Sequence, residues 1–440
     1  MHTRISLNHN LLRRLVEELG RNPAATFSCA SGINRLREST NLLAYDLERE
    51  FSSVPAPHHL LVCGGIDPAS LAGSIRRALA RPTRSLPGAV LGLGVGNQSG
   101  DVAGVFRVGD SFVPLDEVVL QEPGLPRVRL GFRKEGRREI PVSPLELETW
   151  SRSIGALGEA AWRRLTELHF GVIGCGRSGM EVATSLARLG AAQITVIDAD
   201  RIETGNLGEL FPGVSIEDVG QLKSQVLASL LSAQRPSRLR QLTAVPESIS
   251  SQPSLIAAKN TDFLISCVDT PVARAATAFL AKLYLLPLLD VGTGIHRHAA
   301  EGGGTETGAD IRLVLPDRCL LCFGGIREID VVRQQQALIP HRGPGHRRVD
   351  WQTERAGSLR SLNMMSVGIG LRLVEELVRG RLRGSAWLQL DYGANGIPSL
   401  RSLAPDRPSV CSMCPFTGHG DDGIHRFADA IGVRPGKDSR

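Results

Sequence analysis

The segment Gly174-Cys175-Gly176-Arg177-Ser178-Gly179 constrains the fold most, because it lies between a predicted strand and a predicted helix. Residues 168–173 are strand-like, and residues 179–189 place apolar side chains on one helical face. A second predicted strand ends at Asp198, which completes a βαβ unit of about 30 residues. In this context the first glycine makes a tight turn, the second lets the backbone approach a phosphate, and the third packs the helix on the strand. The turn therefore predicts a nucleotide site, with a packing role alone as the alternative.

The alternation of strands and helices continues beyond this unit. Apolar strands at 262–268, 286–291 and 310–315 are separated by helical stretches at 220–232 and 270–284. This order predicts a doubly wound, mostly parallel, Rossmann-like α/β sheet. Further elements are predicted as a helix at 145–166, a helix at 359–379 and a strand at 386–392.

A chain of 440 residues is expected to form two domains. Residues 1–144 predict a smaller N-terminal α+β domain of unknown role, and residues 145–415 hold the nucleotide-binding pattern. A polar, basic segment at 323–358 interrupts the alternation and is predicted to be a long loop, and residues 416–440 form a C-terminal tail. The N-terminal elements are predicted as strands at 59–63, 89–93 and 104–108 and helices at 10–20 and 41–51.

The composition predicts a cytoplasmic globular protein. Hydrophobic residues make up 42% and charged residues 22%, and we find neither a signal peptide nor an apolar run long enough to span a membrane. The net charge of +6 suits an acidic partner or a phosphate-rich ligand. Aromatic residues are only 4%, which argues against a nucleic-acid partner because few side chains could stack on bases.

Two Cys-x-x-Cys pairs, Cys319/Cys322 and Cys411/Cys414, predict a structural zinc site. Four thiolates suit tetrahedral zinc, and such spacing in a reducing compartment is typical of metal binding or redox chemistry. The intervening residues, 323–410, number 88, so the metal would tie the C-terminal part back onto the sheet. Redox dithiols and buried core cysteines are the alternatives.

Three charged residues lie where a nucleotide site could use them. Asp198 lies 22 residues after Gly176 and could accept hydrogen bonds from a ribose in NAD or in ATP. Lys223 lies near the start of a predicted helix, and Asp269 ends a predicted strand. Nucleotidyl transfer needs a cation near the phosphates and a carboxylate for Mg²⁺, whereas hydride transfer needs neither. The structural alternatives are a surface lysine and an aspartate that caps the next helix.

Taken in order, these segments resemble the ThiF/HesA/MoeB superfamily, to which the ubiquitin-activating enzymes belong. The resemblance covers about residues 145–415. Besides the glycine turn and both cysteine pairs, it rests on Gly155–Glu159, Asp198-Ala199-Asp200, Gly205-Asn206-Leu207, Gly220–Lys223, and Cys267-Val268-Asp269 with Arg274. Such proteins bind ATP–Mg²⁺ and adenylate the C-terminal carboxylate of a ubiquitin-like protein.

The resemblance implies a role for each matching residue. Gly174, Gly176 and Gly179 would surround the nucleotide, and Asp198 would hold its ribose. Asn206 and Lys223 would contact the phosphates, while Asp269 would bind magnesium. Arg152 matches an arginine that family dimers insert into the neighbouring subunit's ATP site, which implies a homodimer. Asp269, Lys223 and Arg152 are therefore the expected catalytic residues.

The sequence departs from the family pattern at two places. Glu209 stands near the position where the family usually has a phosphate-facing arginine. Residues 323–410 contain no cysteine, so the thioester that some members form cannot arise at the usual place. Cys175, Cys267 and the N-terminal cysteines stay open for that role. The N-terminal domain could recruit the carrier protein or a conjugating enzyme, or stabilise the dimer.

The leading hypothesis is an ATP-dependent adenylyltransferase acting on a ubiquitin-like or sulfur-carrier protein. Glu209 and the missing cysteine motivate a second hypothesis, a binding or scaffold protein with a degenerate nucleotide site. A small-molecule or peptide adenylating enzyme of the same superfamily shares the core motifs. An NAD-dependent oxidoreductase is disfavoured, because no group of residues resembles a hydride-transfer site.

Overall fold

The computed structural model describes the backbone of eight N-terminal strands and most of residues 141–417, the latter with side chains except at 295–297, 305–306 and 335–338. The gaps in the latter range are 209–212, 235–237, 298–304, 317, 339–358, 393–395, 406–407 and 409. The chain divides into two compact units. The first comprises residues 1–122, 127–139 and 415–440, and the second comprises residues 123–126 and 140–414.

The first unit contains two β-sheets. One has the order β1-β7-β8 and the other the order β2-β3-β4-β5-β6. The strands are β1 (Arg4–Asn8), β2 (Thr26–Ala30), β3 (His58–Gly64), β4 (Ala89–Val95), β5 (Val102–Val108), β6 (Ser111–Pro114), β7 (Glu117–Gln121) and β8 (Val128–Gly131). The predicted strands at 59–63, 89–93 and 104–108 lie within β3, β4 and β5, whereas the predicted helices at 10–20 and 41–51 lie outside the described residues.

The second unit is built on one eight-stranded sheet of order β11-β10-β9-β12-β13-β14-β15-β16. The first five strands in this order are parallel, and the last three are antiparallel additions. The strands are β9 (His169–Ile173), β10 (Gln193–Ile197), β11 (Gln241–Val245), β12 (Phe263–Ser266), β13 (Leu288–Arg297), β14 (Thr305–Val314), β15 (Ala386–Tyr392) and β16 (Pro398–Leu403). The predicted Rossmann-like α/β fold is confirmed.

Nine described helices accompany this sheet. They are α1 (Pro144–Thr149), α2 (Ser151–Leu157), α3 (Glu159–Glu167), α4 (Arg177–Leu189), α5 (Lys223–Ala233), α6 (Gln252–Lys259), α7 (Pro271–Leu283), α8 (Glu328–Leu338) and α9 (Arg360–Val378). Within the described part of the chain, no helix is long and apolar enough to cross a bilayer.

Two predicted elements differ in the structure. The single helix at 145–166 is wrong, because the backbone leaves the helical conformation at Trp150 and at Gly158, whose φ is +85°. Three short helices result. The predicted loop at 323–358 contains helix α8, while residues 339–358 lie outside the described residues. A tertiary contact joins this helix to α7: the backbone N–H of Val272 donates to Gln334 Oε1 at 2.9 Å.

The central parallel strands carry the core. Phe170 and Val172 of β9, Val196 of β10, and Phe263 and Ile265 of β12 are all buried. Such continuous apolar runs are expected where helices cover both faces of a parallel sheet. Because β10, β9 and β12 are adjacent and parallel, their carboxyl ends meet at one edge, where ligands bind in open α/β sheets.

Candidate active site

The glycine loop joins β9 to α4 at this edge. Gly174 has a φ of +89°, and a Cβ there would lie 2.8 Å from the carbonyl oxygen of Cys267. A Cβ on Gly179 would lie only 1.8 Å from the carbonyl oxygen of Gly174. Packing therefore requires glycine at both positions. A Cβ on Gly176 would meet no atom within 4 Å, so the space in front of this glycine is open.

Asp198, at the end of β10, hydrogen-bonds to the glycine loop. Its Oδ2 accepts the backbone N–H of Cys175 at 2.6 Å, and its Oδ1 accepts the backbone N–H of Asp200 at 2.7 Å. Burial raises the pKa of the Asp198 carboxyl, although both hydrogen bonds favour its ionised form. Asp198 thus connects the glycine loop to the turn that follows β10.

Lys223 is the first residue of α5 and lies next to that turn. Its Nζ is 3.0 Å from Asp200 Oδ2, and its backbone N–H donates to the Asp200 carbonyl at 2.9 Å. The hydroxyl of Ser224 also donates, to the carbonyl of Asp198 at 2.9 Å. Because the Asp200 side chain is 72% exposed, this ion pair is weak and can give way to a ligand phosphate.

Asp269 is exposed in the turn between β12 and α7. Strand β12 ends at Ser266, so Asp269 lies three residues beyond it. The aspartate does not cap the next helix: Thr270 is the N-cap, and its hydroxyl accepts the backbone N–H of Ala273 at 3.3 Å. No described residue forms a hydrogen bond or ion pair with the Asp269 carboxylate, which leaves its oxygens available to a cation.

The backbone joins this turn to the glycine loop, since the N–H of Cys267 donates to the Ile173 carbonyl at 2.8 Å. Asn206 and Arg152 lie apart from these contacts. The Asn206 side chain accepts the backbone N–H of Glu203 at 3.0 Å. Arg152 is exposed on α2 and pairs with no side chain of the described residues. Glu209 lies outside the described residues.

Two further residues at this edge were given no role by the sequence. Asp200, within the Asp198–Asp200 motif, is the partner of Lys223. Asn363 is buried on α9, and its Oδ1 accepts the hydroxyls of Ser178 at 3.1 Å and of Thr293 at 2.9 Å. No local signal could have found Asn363, because it lies 185 residues from Ser178.

The two cysteines near the loop are poor nucleophiles. Cys175 is fully buried, and burial together with the Asp198 charge raises the pKa of its thiol well above the usual value. Burial, with a contribution from Asp290, raises the pKa of Cys267 to about 12. Neither thiol is ionised to a useful extent near neutral pH.

Cys319, Cys322, Cys411 and Cys414 form a cluster in which all sulfur atoms lie within 4.8 Å of one another. The shortest separations are 3.3 Å between the Sγ atoms of Cys322 and Cys414 and 3.5 Å between those of Cys319 and Cys411. Hydrogen bonds, the strongest from Cys319, lower the pKa of Cys414 to about 4. Four convergent sulfurs at these distances can hold a tetrahedral zinc ion.

A buried lysine supports this cluster. Lys282, near the end of α7, donates to the carbonyl of Arg318 at 3.0 Å and to that of Pro316. Both acceptors belong to the segment that leads into Cys319. The contacts anchor the first cysteine pair to α7, which also begins at the Asp269 turn.

Comparison with known proteins identifies the core of this unit. The model of the ThiF family matches residues 150–312, which include the glycine loop, Asp198, Lys223 and Asp269. The chain carries a ThiF-family domain. The predicted resemblance is thereby confirmed for the region that forms the candidate site.

Several curated proteins resemble the ThiF-family domain. The adenylyltransferase and sulfurtransferase UBA4 of Saccharomyces cerevisiae is 26% identical over 207 residues, which cover 46% of this chain and 43% of UBA4. The tRNA threonylcarbamoyladenosine dehydratase of Haemophilus influenzae is 24% identical over 33% of this chain and 57% of its own length. The chain thus spans less than half of UBA4.

Solved structures of E. coli MccB are also similar. The structure of MccB with succinimide has a TM-score of 0.45 and 18% sequence identity, and the match covers 60% of this chain and 74% of MccB.

Proposed function

We propose that this protein is an ATP-dependent adenylyltransferase that activates the C-terminal carboxylate of a ubiquitin-like or sulfur-carrier protein. One observation carries the proposal: an open glycine loop, Asp198, Lys223 and an unpaired Asp269 carboxylate lie at the carboxyl edge of one parallel sheet. The likeness to UBA4, an adenylyltransferase and sulfurtransferase, supports the same reaction class.

The loop offers a site for the nucleotide. The N-terminus of α4 presents backbone N–H groups and the positive end of the helix dipole, both of which favour phosphate. Gly176 leaves the approach open, because no neighbouring atom lies where a side chain would begin. The Asp198 carboxylate, which already orders the loop, would also accept a ribose hydroxyl.

The charged residues would serve the transfer step. A carboxylate oxygen of the carrier would attack the α-phosphorus, and the bond to the bridging oxygen would break, with its electron pair leaving on pyrophosphate. Lys223 would exchange Asp200 for a phosphate oxygen and stabilise the growing negative charge. Asn206 would contact the phosphates as well. Asp269 fits Mg²⁺, because its carboxylate is exposed and unpaired among the described residues; the ion would neutralise phosphate charge.

The proposal extends to a homodimer in which Arg152 acts on the neighbouring subunit's site. Its exposure on α2 is compatible with that role, since a residue supplied to a partner must be accessible. The cysteine cluster would hold a structural zinc ion, because four thiolate ligands leave no open position for a substrate. Neither Cys175 nor Cys267 would carry a thioester.

The test is ATP–pyrophosphate exchange with a panel of ubiquitin-like and sulfur-carrier proteins. Exchange should require one of these carriers, and Asp269→Ala and Lys223→Ala should abolish it without loss of folding. Glu148→Ala is the matched control, because Glu148 is an exposed carboxylate on α1, outside the glycine loop and the turns that carry Asp198, Lys223 and Asp269.

The outcomes separate the candidate functions. ATP binding without exchange on any carrier would contradict the carrier hypothesis and favour a small-molecule or peptide substrate. The likeness to a tRNA threonylcarbamoyladenosine dehydratase, whose name gives a substrate other than a carrier protein, supports the view that this type of site can serve other substrates. Absence of ATP binding would contradict both candidates and favour a scaffold with a degenerate site.

A further inference from the structure

The turn that carries Asp269 is held by a neighbouring arginine rather than through the aspartate itself. Arg274, one helical turn into α7, donates from Nη2 to the carbonyl of Val268 at 3.2 Å. Its backbone N–H donates to the Thr270 carbonyl at 3.0 Å. The second contact is an ordinary helical backbone bond, so the guanidinium itself restrains the turn through the carbonyl of Val268, the residue before Asp269.

The buried carboxylate of Asp290 forms an ion pair with the Arg274 guanidinium. Asp290 is fully buried on β13, and its Oδ1 lies 3.1 Å from Arg274 Nε. Gly292, two residues further along the strand, makes room for the guanidinium: a Cβ there would lie 2.8 Å from Arg274 Nη2. Gly292 therefore provides room for the Arg274 guanidinium, and Asp290 provides a negative charge beside it.

Arg312 on β14 completes the set of charges. It is the cross-strand partner of Asp290 in the β13–β14 register, and its Nη1 lies 3.8 Å from Asp290 Oδ2. Its Nη2 pairs with Asp310 at 3.2 Å, and its guanidinium stacks on the Trp387 ring at 4.1 Å. Arg312 is thus occupied by Asp310 and Trp387, whereas Arg274 has Asp290 as its only described acidic partner.

We propose that Asp290 and Arg274 are positioning residues for the metal site at Asp269. Asp290 orients the Arg274 guanidinium, and the guanidinium holds the Val268 carbonyl, so that the exposed Asp269 carboxylate on the next residue faces one direction before a cation binds. This inference rests on the proposed function, because it takes Asp269 to be the Mg²⁺ ligand. Restraining a ligand before the metal arrives reduces the entropy lost on binding.

The test measures metal binding rather than turnover. The purified full-length protein is titrated with Mn²⁺, a paramagnetic substitute for Mg²⁺, in the presence of α,β-methylene-ATP, and bound Mn²⁺ is followed by electron paramagnetic resonance. Arg274→Gln and Asp290→Asn should each weaken Mn²⁺ binding by about 10–100-fold, the usual cost of losing a residue that supports a metal ligand. Binding of the analogue in EDTA should not change.

Asp310→Asn is the matched control, because it makes the same charge change within the network but on the far side of Arg312. It should leave Mn²⁺ affinity unchanged. If Asp290→Asn fails to fold, Arg274→Gln carries the test, since the Arg274 side chain is partly exposed. Wild-type Mn²⁺ affinity in Arg274→Gln would overturn the inference.

Asp269→Ala distinguishes this failure from failure of the proposed function. If Asp269→Ala abolishes Mn²⁺ binding while Arg274→Gln does not alter it, the result supports the proposed function and contradicts the positioning role of Arg274 and Asp290. If the wild-type protein binds neither the analogue nor Mn²⁺, the proposed function itself fails, and the inference fails with it.

Discussion

The carboxylate of Asp198 accepts the backbone N–H of Cys175 at 2.6 Å, which ties the end of β10 to the middle of the glycine loop. Its second oxygen accepts the N–H of Asp200. One side chain therefore orders both the loop beneath the proposed phosphate site and the turn that presents Asp200 to Lys223. We expect Asp198 to control both the shape of the site and the pH range in which it binds ATP.

The first prediction concerns acid sensitivity. Burial raises the pKa of Asp198, so the folded chain binds this proton more tightly than the unfolded chain does. The resulting stability is present below the unfolded pKa and is lost as the pH rises through the folded pKa. Under the proposed function the ribose of ATP hydrogen-bonds to the ionised Asp198 carboxylate, so ATP affinity should fall as the pH drops through that raised pKa. Calorimetric titration at a series of pH values measures the effect.

Asp198→Asn provides the comparison. An amide has one acceptor oxygen and cannot take both N–H groups, so the free energy of unfolding should fall by about 1–3 kcal/mol near neutral pH. ATP should bind more weakly, and the acid-dependent loss of affinity should disappear. Glu148→Gln should behave like wild type. The same acid profile in Asp198→Asn and wild type would rule out Asp198 as its source.

The second prediction separates folding from binding within the glycine loop. In Gly179→Ala the new methyl group would meet the Gly174 carbonyl, so thermal denaturation should show a loss of about 1–3 kcal/mol or more from overpacking. Gly176→Ala meets no atom within 4 Å and should cost no more than about 1 kcal/mol of helix capping. Its ATP affinity should nevertheless fall at least about tenfold, the equivalent of 1.4 kcal/mol.

Equal ATP affinity in Gly176→Ala and wild type would show that phosphate does not approach this face of the loop. Equal destabilisation by the two substitutions would contradict the packing argument.

The third prediction concerns zinc. The purified protein should contain one zinc ion per chain, and Cys322→Ser should lose it, as measured by a colorimetric assay after denaturation. Free zinc at a hundred times the Kd should stabilise the apoprotein by about 2.7 kcal/mol. Cys267→Ala is the matched control, because that thiol lies outside the cluster. Full zinc content in Cys322→Ser would argue that the four sulfurs do not act together.

The fourth prediction concerns the thiols near the loop. Because burial raises the pKa of both Cys175 and Cys267, iodoacetamide should leave them unmodified in the native protein at neutral pH and alkylate them after unfolding. Peptide mass spectrometry measures the difference. Cys175→Ala should keep pyrophosphate exchange. A carrier thioester that disappears in either Cys175→Ala or Cys267→Ala would contradict this prediction.

Local sequence signals were sufficient for four of the five parallel strands, β9, β10, β12 and β13, whereas β11 was not predicted. The alternation of apolar strands with amphipathic helices follows from periodicities of 2.0 and 3.6 residues, which are visible within a window of a dozen residues. The strand at 386–392 has the predicted bounds, and the glycine spacing identified the loop between β9 and α4. Short-range patterns were less reliable where a single residue ends a helix. Trp150 and Gly158 divide one predicted helix into three.

The sequence by itself determined the α/β class, the glycine loop, the two cysteine pairs and the candidate residues Asp198, Lys223 and Asp269. These signals are contained in short segments whose chemistry does not depend on distant parts of the chain. Only the tertiary structure decided which groups meet: Asp200 with Lys223, Asn363 with Ser178, and Asp290 with Arg274. Contacts between residues far apart in the chain depend on sheet order and register, and no local pattern encodes them.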